Sequence, residues 1–211
     1  MQSLNRALEL SLFLTLPATA ALIAVPHPIV SVLFERGAFT SADTAATALG
    51  LAIYALGLPA FVLQKVLQPA FFAREDTRTP LRFALWSMLA NVVIASGGAV
   101  LIGWTAAAIG STVAAWVNLV LLWRAGRALG DDVAVDARLA GRAPRILAAS
   151  LLTGLAALGM AQWLEINAPG LRAAGLGVII AVSAAFYFTA ATRLGAFRLA
   201  DLRASMRRGA R

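Results

Sequence analysis

The sequence predicts an all-α membrane protein whose chain crosses the bilayer six times. Hydrophobic residues make up 60% of its 211 residues and charged residues only 13%, against about 45–50% and about a quarter in soluble domains. A small globular protein keeps too much surface exposed to hide such an excess. The apolar residues also form runs of about 20, which is the length of helix that crosses a bilayer core of roughly 30 Å. The solvent for most of this surface is therefore lipid.

Six apolar runs reach the required length, allowing for a few polar interruptions. Helix is the structure that satisfies their backbone hydrogen bonds inside lipid. The predicted spans are residues 11–34, 45–72, 83–102, 105–123, 146–164 and 171–192.

The basic residues between these runs predict the orientation of the chain. Fifteen arginines lie before the first run and in alternate connections after it, whereas the opposite connections contain only Arg36 and Arg172. Lys65 lies inside a span. Since arginine and lysine accumulate on the cytoplasmic side, both termini are predicted to be cytoplasmic.

The one long connection, residues 124–145, contains five arginines and marks a boundary within the chain. We expect a four-helix part at 1–130, a basic cytoplasmic loop at 131–145, a helix pair at 146–193 and a basic tail at 194–211. From Phe197 onward the tail is either a short surface helix near anionic lipid headgroups or a frayed basic end.

Composition excludes several classes of function. The chain has no cysteine and one histidine, His27, so the usual Cys/His zinc sites are excluded and no metal or other cofactor is predicted. A net charge of +8 is compatible with nucleic-acid binding, but the basic residues lie between apolar runs and form no single patch. No catalytic constellation and no phosphate-binding loop is present. A transport or structural protein fits better than an enzyme.

The first span contains Pro17, Pro26 and Pro28. Proline removes a backbone hydrogen bond and kinks a helix, and transporters use such broken helices as hinges or to line a site. The three prolines are therefore hinge candidates. The alternative is a simple bend near the outer end of the span.

The second span carries Gln64, Lys65 and Gln68. Gln64 and Gln68 are four residues apart and share one face of a helix, and an ionisable group within a span is a functional hypothesis by default. Lys65 lies about seven residues from the cytoplasmic end, roughly 10 Å, so its stem also has the length to snorkel to the headgroups. Lining a cavity and snorkelling both stay open.

A mixed-charge cluster follows this span at the cytoplasmic mouth. Its members are Arg74, Glu75, Asp76 and Arg78. The arginines suit a phosphate group. Alternatively, they pair with the carboxylates and pin two helices together, and composition favours this second interpretation. Thr79 is predicted to cap the third helix and Pro80 to be its first residue.

Polar and small residues interrupt the third and fourth spans. Asn91 and Ser111 either join the two helices by hydrogen bonding or contribute to a cation site. The glycines expected to permit close helix packing are Gly97, Gly98, Gly103 and Gly110.

An ordered run of motifs at residues 14–80 is more specific than any one of them. It comprises LTLPA (14–18), PIVSVLFERGAFT (28–40), YALGLPAF (54–61), KVLQPAFFAR (65–74) and DTRTP (76–80). This run resembles the MurJ/MviN family of lipid II flippases, in the superfamily of multidrug and polysaccharide exporters. The resemblance covers residues 1 to about 130 by motif, and the last two helices by position and hydropathy.

The resemblance implies a fourteen-helix transporter of which this chain contains the ninth to fourteenth helices, without the N-terminal lobe. Such a protein lies in the bacterial inner membrane. It moves undecaprenyl-pyrophosphate-linked murein precursor to the outer leaflet by alternating access. The last two helices would provide a groove for the lipid tail.

Some relatives bind sodium in this lobe with an Asn and an Asp one turn apart. Asn91 matches the first position, Ala95 stands where the acid would be, and Ser111 matches a hydroxyl ligand. The resemblance therefore leaves coupling to sodium, to protons or to the membrane potential open. Other hypotheses are an exporter of drugs or of another lipid-linked glycan, and a membrane scaffold without transport.

Overall fold

The computed structural model of the chain describes residues 2–128, 136–167 and 169–196. In these ranges the ordered elements are seven α-helices and one short 3-10 helix at Pro169–Leu171. The α-helices are α1 (Gln2–Ala24), α2 (Pro26–Phe34), α3 (Ser41–Phe72), α4 (Arg78–Ile102), α5 (Thr105–Ala128), α6 (Ala137–Asn167) and α7 (Arg172–Arg193).

Six of these helices are long and apolar enough to cross a membrane, and they fall on the six predicted spans. The prediction of an all-α protein with six spans is therefore confirmed. The helices extend beyond the apolar runs, because polar residues at the ends of a helix remain compatible with helical backbone at the level of the headgroups.

Helix α6, which contains the fifth predicted span, begins earlier than predicted. Residues 137–145, which were expected in the basic loop, form the first turns of α6. The Asp136 carboxylate accepts a hydrogen bond of 2.7 Å from the backbone N–H of Leu139 and so caps this helix. The rest of that loop lies outside the described residues, as does the tail from Phe197. Both interpretations of the tail, a short surface helix and a frayed basic end, therefore stay predictions.

The first predicted span consists of two helices, α1 and α2, with a break at Val25, whose φ and ψ are −130° and 46°. Pro26 and Pro28 lie in the first turn of α2, where proline's missing N–H costs no helical hydrogen bond. The structure shows a bend at Pro26-His27-Pro28, which is the alternative interpretation, and a hinge role for Pro17, Pro26 and Pro28 stays a prediction. Pro17, by contrast, lies within the continuous helix α1.

Carboxylates define the starts of the two helices that follow. At α3, the backbone N–H of Thr40 donates to Asp43 and the Thr40 hydroxyl accepts from the Asp43 N–H, which completes a capping box. At α4, the prediction that Thr79 caps the helix is wrong. Thr77 is the cap residue, and the Asp76 carboxylate accepts from the Thr79 N–H at 2.9 Å. Pro80 accordingly occupies the third helical position, which also needs no N–H.

The main packing pairs connect the helices in the spatial order α4, α5, α3, α1, α6, α7, and α2 contacts α3 and α7. The last helix pair thus packs mainly on α1, through α6. Three small buried clusters follow this order. The first contains Leu8 and Leu122, the second Phe13 and Ile146, and the third Val25 and Ile179. Helix α1 contributes to the first two, so it joins the helix pair to the remaining helices.

Candidate functional site

A polar network joins α3 to α5 inside the bundle. Gln64 is buried, and its amide nitrogen donates to the Ala115 carbonyl at 3.1 Å. Asn118 donates its own amide to the Gln64 carbonyl oxygen at 2.5 Å. One turn before Ala115 on α5, the Thr112 hydroxyl donates to the carbonyl of Ile53 on α3 at 2.8 Å. Because both ends of the Gln64 amide are engaged, this side chain holds two helices together.

The structure separates the three polar residues that sequence reasoning grouped on the second span. Lys65 is exposed, Gln68 is half-buried and Gln64 is buried. Lys65 is one helical position from Gln64 and therefore faces a different side of α3. A cavity-lining role for Lys65 or Gln68 stays a prediction.

The mixed-charge cluster lies on the turn between α3 and α4. Backbone hydrogen bonds from Arg74 and Asp76 shape the turn, because the N–H groups of both residues donate to Phe71, at 3.0 and 3.1 Å. Glu75 adopts a φ of 60°. The hydrogen bonds from Thr79 hold the pKa of Asp76 below its usual range. Asp76 therefore fixes the start of α4, while Arg74, Glu75 and Arg78 lie at the surface.

Asn91 and Ser111 are brought together between α4 and α5, as the sequence indicated. The Asn91 amide donates to the Ser111 hydroxyl at 3.5 Å, and that hydroxyl donates to the Ala107 carbonyl at 2.9 Å. A Cβ placed on Gly110 would lie 2.6 Å from the Asn91 side-chain oxygen, so the helices approach closely here. Gly98 similarly faces Ala106.

These two residues alone do not fit a cation site. They supply two neutral oxygens, whereas hard cations are held by several oxygen ligands that usually include a carboxylate. The position one turn from Asn91 is Ala95. The arrangement instead matches interhelical hydrogen bonding, and ion coupling stays a prediction. For Gly97 and Gly103, a Cβ would meet nothing within 4 Å, so the prediction of close packing is wrong at these two positions.

Sequence reasoning missed an ion cluster between the start of α1 and the start of α6. The Glu9 carboxylate is nearly buried, at 11% side-chain exposure. It accepts from the Arg138 guanidinium at 3.1 Å and also from Arg142. The two arginines are four residues apart on α6 and so face the same side. That spacing, together with a lone carboxylate in the first turns of a membrane helix, was the available signal.

A second charged group lies at the opposite end of the bundle, where α2, α6 and α7 meet. A cavity of about 290 Å³ lies between these helices, and its lining includes His27, Glu35, Glu165 and Arg172. Arg172 lies 3.8 Å from the Glu35 carboxylate. Sequence reasoning used Arg172 only for the orientation of the chain.

An apolar groove of about 270 Å³ runs between α1, α6 and α7. Pro17 and Phe13 line it from α1, and Ala157 and Ile180 line it from the helix pair. At its base the Tyr187 hydroxyl donates to the Phe13 carbonyl at 2.6 Å, which ties α7 to α1. The resemblance placed a lipid-tail groove in the last two helices. The groove present here also needs α1 for one wall.

Comparison with known proteins gives consistent matches along the chain. The family model described as "Lipid II flippase MurJ" matches residues 1–188. A probable lipid II flippase MurJ of Rhizobium meliloti is 42% identical over 98% of this chain, and one of Rhizobium tropici is 34% identical over 97%. A solved structure described as "Lipid II flippase MurJ, inward closed conformation" covers 90% of this chain at 23% identity, with a TM-score of 0.75.

The chain spans about two-fifths of the length of these proteins, namely 39% of each rhizobial relative and 38% of the solved chain. That share agrees with six helices of a fourteen-helix plan. The solved structure shows that the fold is shared, and the sequence match extends over all six spans. This chain is a multi-pass membrane protein that belongs to the lipid II flippase MurJ family.

Proposed function

We propose that the chain forms the C-terminal part of a flippase that moves lipid II, the undecaprenyl-pyrophosphate-linked murein precursor, across the bacterial inner membrane by alternating access. The observation that carries the proposal is the family match over residues 1–188. In this arrangement both termini lie in the cytoplasm, as the arginine distribution predicts. The rest of the flippase would be the N-terminal lobe.

The exposed apolar face of α4 leaves a surface on which an N-terminal lobe can pack. Only 6% of the residues in its most apolar stretch are buried, although this helix is as apolar as its neighbours. The large exposed side chains on it include Leu85, Trp86, Leu89 and Val93. An N-terminal lobe packed along α4 would place Lys65, Gln68 and the arginines of the α3–α4 turn near the entrance between two lobes.

The apolar groove supports the lipid part of the proposal. Its walls combine Pro17 and Phe13 of α1 with side chains of α6 and α7, and few polar atoms face it. A polyprenyl chain gains free energy from such a surface in proportion to the apolar area that it covers. The groove therefore suits the undecaprenyl tail, while the charged sugar-pyrophosphate head passes between the lobes. Coupling to a sodium or proton gradient or to the membrane potential remains part of this proposal, without an assigned ion site.

Growth rescue tests the proposal directly. In a strain depleted of its own lipid II flippase, residues 1–211 alone should not restore growth. Co-expression with the first eight helices of the Rhizobium meliloti relative should restore it. Immunoblots of membranes must show equal amounts of the chain in both cases. Rescue by the chain alone would overturn the need for an N-terminal lobe, and failure of the well-expressed pair would overturn the flippase assignment.

The orientation can be tested because the chain has no cysteine. Arg36→Cys should react with a membrane-impermeant maleimide in intact spheroplasts, whereas Arg82→Cys should react only after the membrane is permeabilised. Both positions lie at helix ends, so they form a matched pair. The reverse pattern would show that the termini face outward.

A further inference from the structure

Helix α3 contains a proline far from both of its ends. Pro59 has no N–H, so the helical hydrogen bond that the Ala55 carbonyl would accept is missing. Gly57, two residues earlier, has no side chain to restrict the backbone of this turn. Sharp bends in long helices occur mainly at prolines and glycines of this kind. Residues 55–59 are therefore the turn at which this 32-residue helix bends most easily.

The two halves of α3 on either side of this turn are packed differently. The C-terminal half, residues 59–72, buries Leu67 and Phe71 in the first core cluster. The N-terminal half, residues 41–56, buries only small residues, which are Thr44, Ala48, Gly50 and Ala55. Small side chains make fewer van der Waals contacts than leucine or phenylalanine. The N-terminal half is therefore held less firmly by packing than the C-terminal half.

Two side chains of α5 bond to the last turn of the N-terminal half. The Trp116 indole N–H donates to the Leu56 carbonyl at 3.0 Å. The Thr112 hydroxyl donates to the Ile53 carbonyl at 2.8 Å. A Cβ placed on Gly57 would lie 3.3 Å from the Thr112 Cα, so the two backbones approach closely here. Side chains of a neighbouring helix thus support the backbone where the proline weakens it.

The C-terminal half has its own connection to α5, beyond the proline. The Gln64 amide donates to the Ala115 carbonyl, and Asn118 donates to the Gln64 oxygen. Helix α5 contains no proline and runs along both halves of α3. It therefore stays attached to the C-terminal half when the bonds to the N-terminal half are broken.

We propose that residues 55–59 form a hinge in α3, and that Thr112 and Trp116 form a brace that holds the N-terminal half against α5. Trp116 is 41% exposed, so its indole can leave the Leu56 carbonyl without opening the core. In a flippase, bending at this point would move the end of α3 near α2, while the end near Arg74 stays in place. This use in transport rests on the proposed function, whereas the hinge itself can be measured without transport.

Distances between spin labels on the purified full chain test the hinge, because the chain has no cysteine. The reporter pair is Leu49→Cys and Val100→Cys, two exposed positions on α3 and on α4, which packs on α5. Leu49 lies about 15 Å along the helix from Pro59, so a bend of about 20° moves it by about 5 Å. In the double variant Thr112→Val/Trp116→Phe, we expect a second population whose reporter distance is about 5 Å longer.

A control pair separates a hinge from general loosening of the bundle. Lys65→Cys with Leu85→Cys places labels on the C-terminal half of α3 and on α4. This distance should not change in the double variant. Trp163→Phe, a matched substitution on α6, should leave the reporter distance unchanged. Equal shifts in both pairs would overturn the proposal, as would a reporter distance that does not change in the double variant.

Restoring the missing backbone bond tests the role of the proline. Pro59→Ala, added to the double variant, should remove the second population, because an alanine N–H can donate to the Ala55 carbonyl. A second population that persists would contradict the hinge. If the double variant does not fold, Trp116→Phe alone serves for the same measurements, because it changes an exposed side chain. Growth rescue tests the flippase assignment separately, so a failed hinge leaves that assignment intact.

Discussion

The neighbouring helices α4 and α5 have similar hydropathy but different surroundings. In the most apolar stretch of each helix, 6% of the residues of α4 are buried, against 50% of those of α5. Lipid tails are as apolar as leucine, so hydropathy does not distinguish a helix that faces lipid from one that faces protein. The difference lies in residue size. Helix α5 buries the small side chains of Ala108, Thr112 and Ala115, whereas α4 carries Leu89 and Trp86 on an exposed face.

The largest expected effect is the loss of a buried side chain on α5. Leu122 is fully buried, whereas Leu101 on α4 is 84% exposed. Leu122→Ala should lower the free energy of unfolding by about 2–5 kcal/mol, because it removes apolar contacts and leaves a cavity. Leu101→Ala should change it by less than about 0.5 kcal/mol. Reversible unfolding in mixed micelles measures both, and similar losses would show that α4 is packed as tightly as α5.

A second pair of substitutions tests the close approach of α4 and α5. In Gly110→Ala the new methyl group would lie 3.0 Å from the Asn91 backbone carbonyl, so the helices must separate. We expect a loss of about 1–3 kcal/mol in the free energy of unfolding, as for an overpacked core. Gly97→Ala meets nothing within 4 Å and should be neutral or stabilise α4 by up to about 1 kcal/mol. Equal effects would mean that the helices do not touch at Gly110.

A smaller effect is expected where α5 is hydrogen-bonded to α3. Thr112→Val removes the bond to the Ile53 carbonyl and keeps the shape of the side chain. The expected loss in the free energy of unfolding is about 0.6 kcal/mol, the average for interhelical hydrogen bonds in membranes. Thr189→Val is the control, because the hydroxyl of Thr189 bonds only within α7, to Ala185. A loss at Thr189 as large as that at Thr112 would argue against the interhelical bond.

The smallest effect concerns the start of α4 and depends on pH. The hydrogen bonds from Thr79 lower the pKa of Asp76 in the folded protein. The stabilisation is therefore present above the unfolded pKa, about 3.9, and is lost as the pH falls through the lower folded value. The protection of the Thr79 N–H from hydrogen exchange, relative to its intrinsic rate at each pH, should fall over that interval, and in Asp76→Ala it should be low throughout. Protection that does not change with pH in the parent protein would contradict the cap.

Much of the candidate site followed from local pattern. The contact between Asn91 and Ser111 and the bend at Pro26 were both predicted, because one depends on adjacent spans and the other on the chemistry of proline. The structural role of Gln64 was not predicted, because burial of its amide depends on the carbonyl of Ala115, 51 residues away. The Glu9 cluster was missed for the same reason, since its arginines lie 129 and 133 residues further along the chain.

The sequence by itself determined that this protein is a six-span helical membrane protein and, through its motifs, to which family it belongs. Hydropathy and proline chemistry act within one helix, so they can be read along the chain. Only the tertiary structure decided that α6 and α7 pack on α1, that α1 closes the apolar groove, and that Glu35 and Arg172 face a common cavity. These contacts depend on the spatial order of the helices, which is set by side-chain shape and interhelical bonding, because apolarity is common to every span.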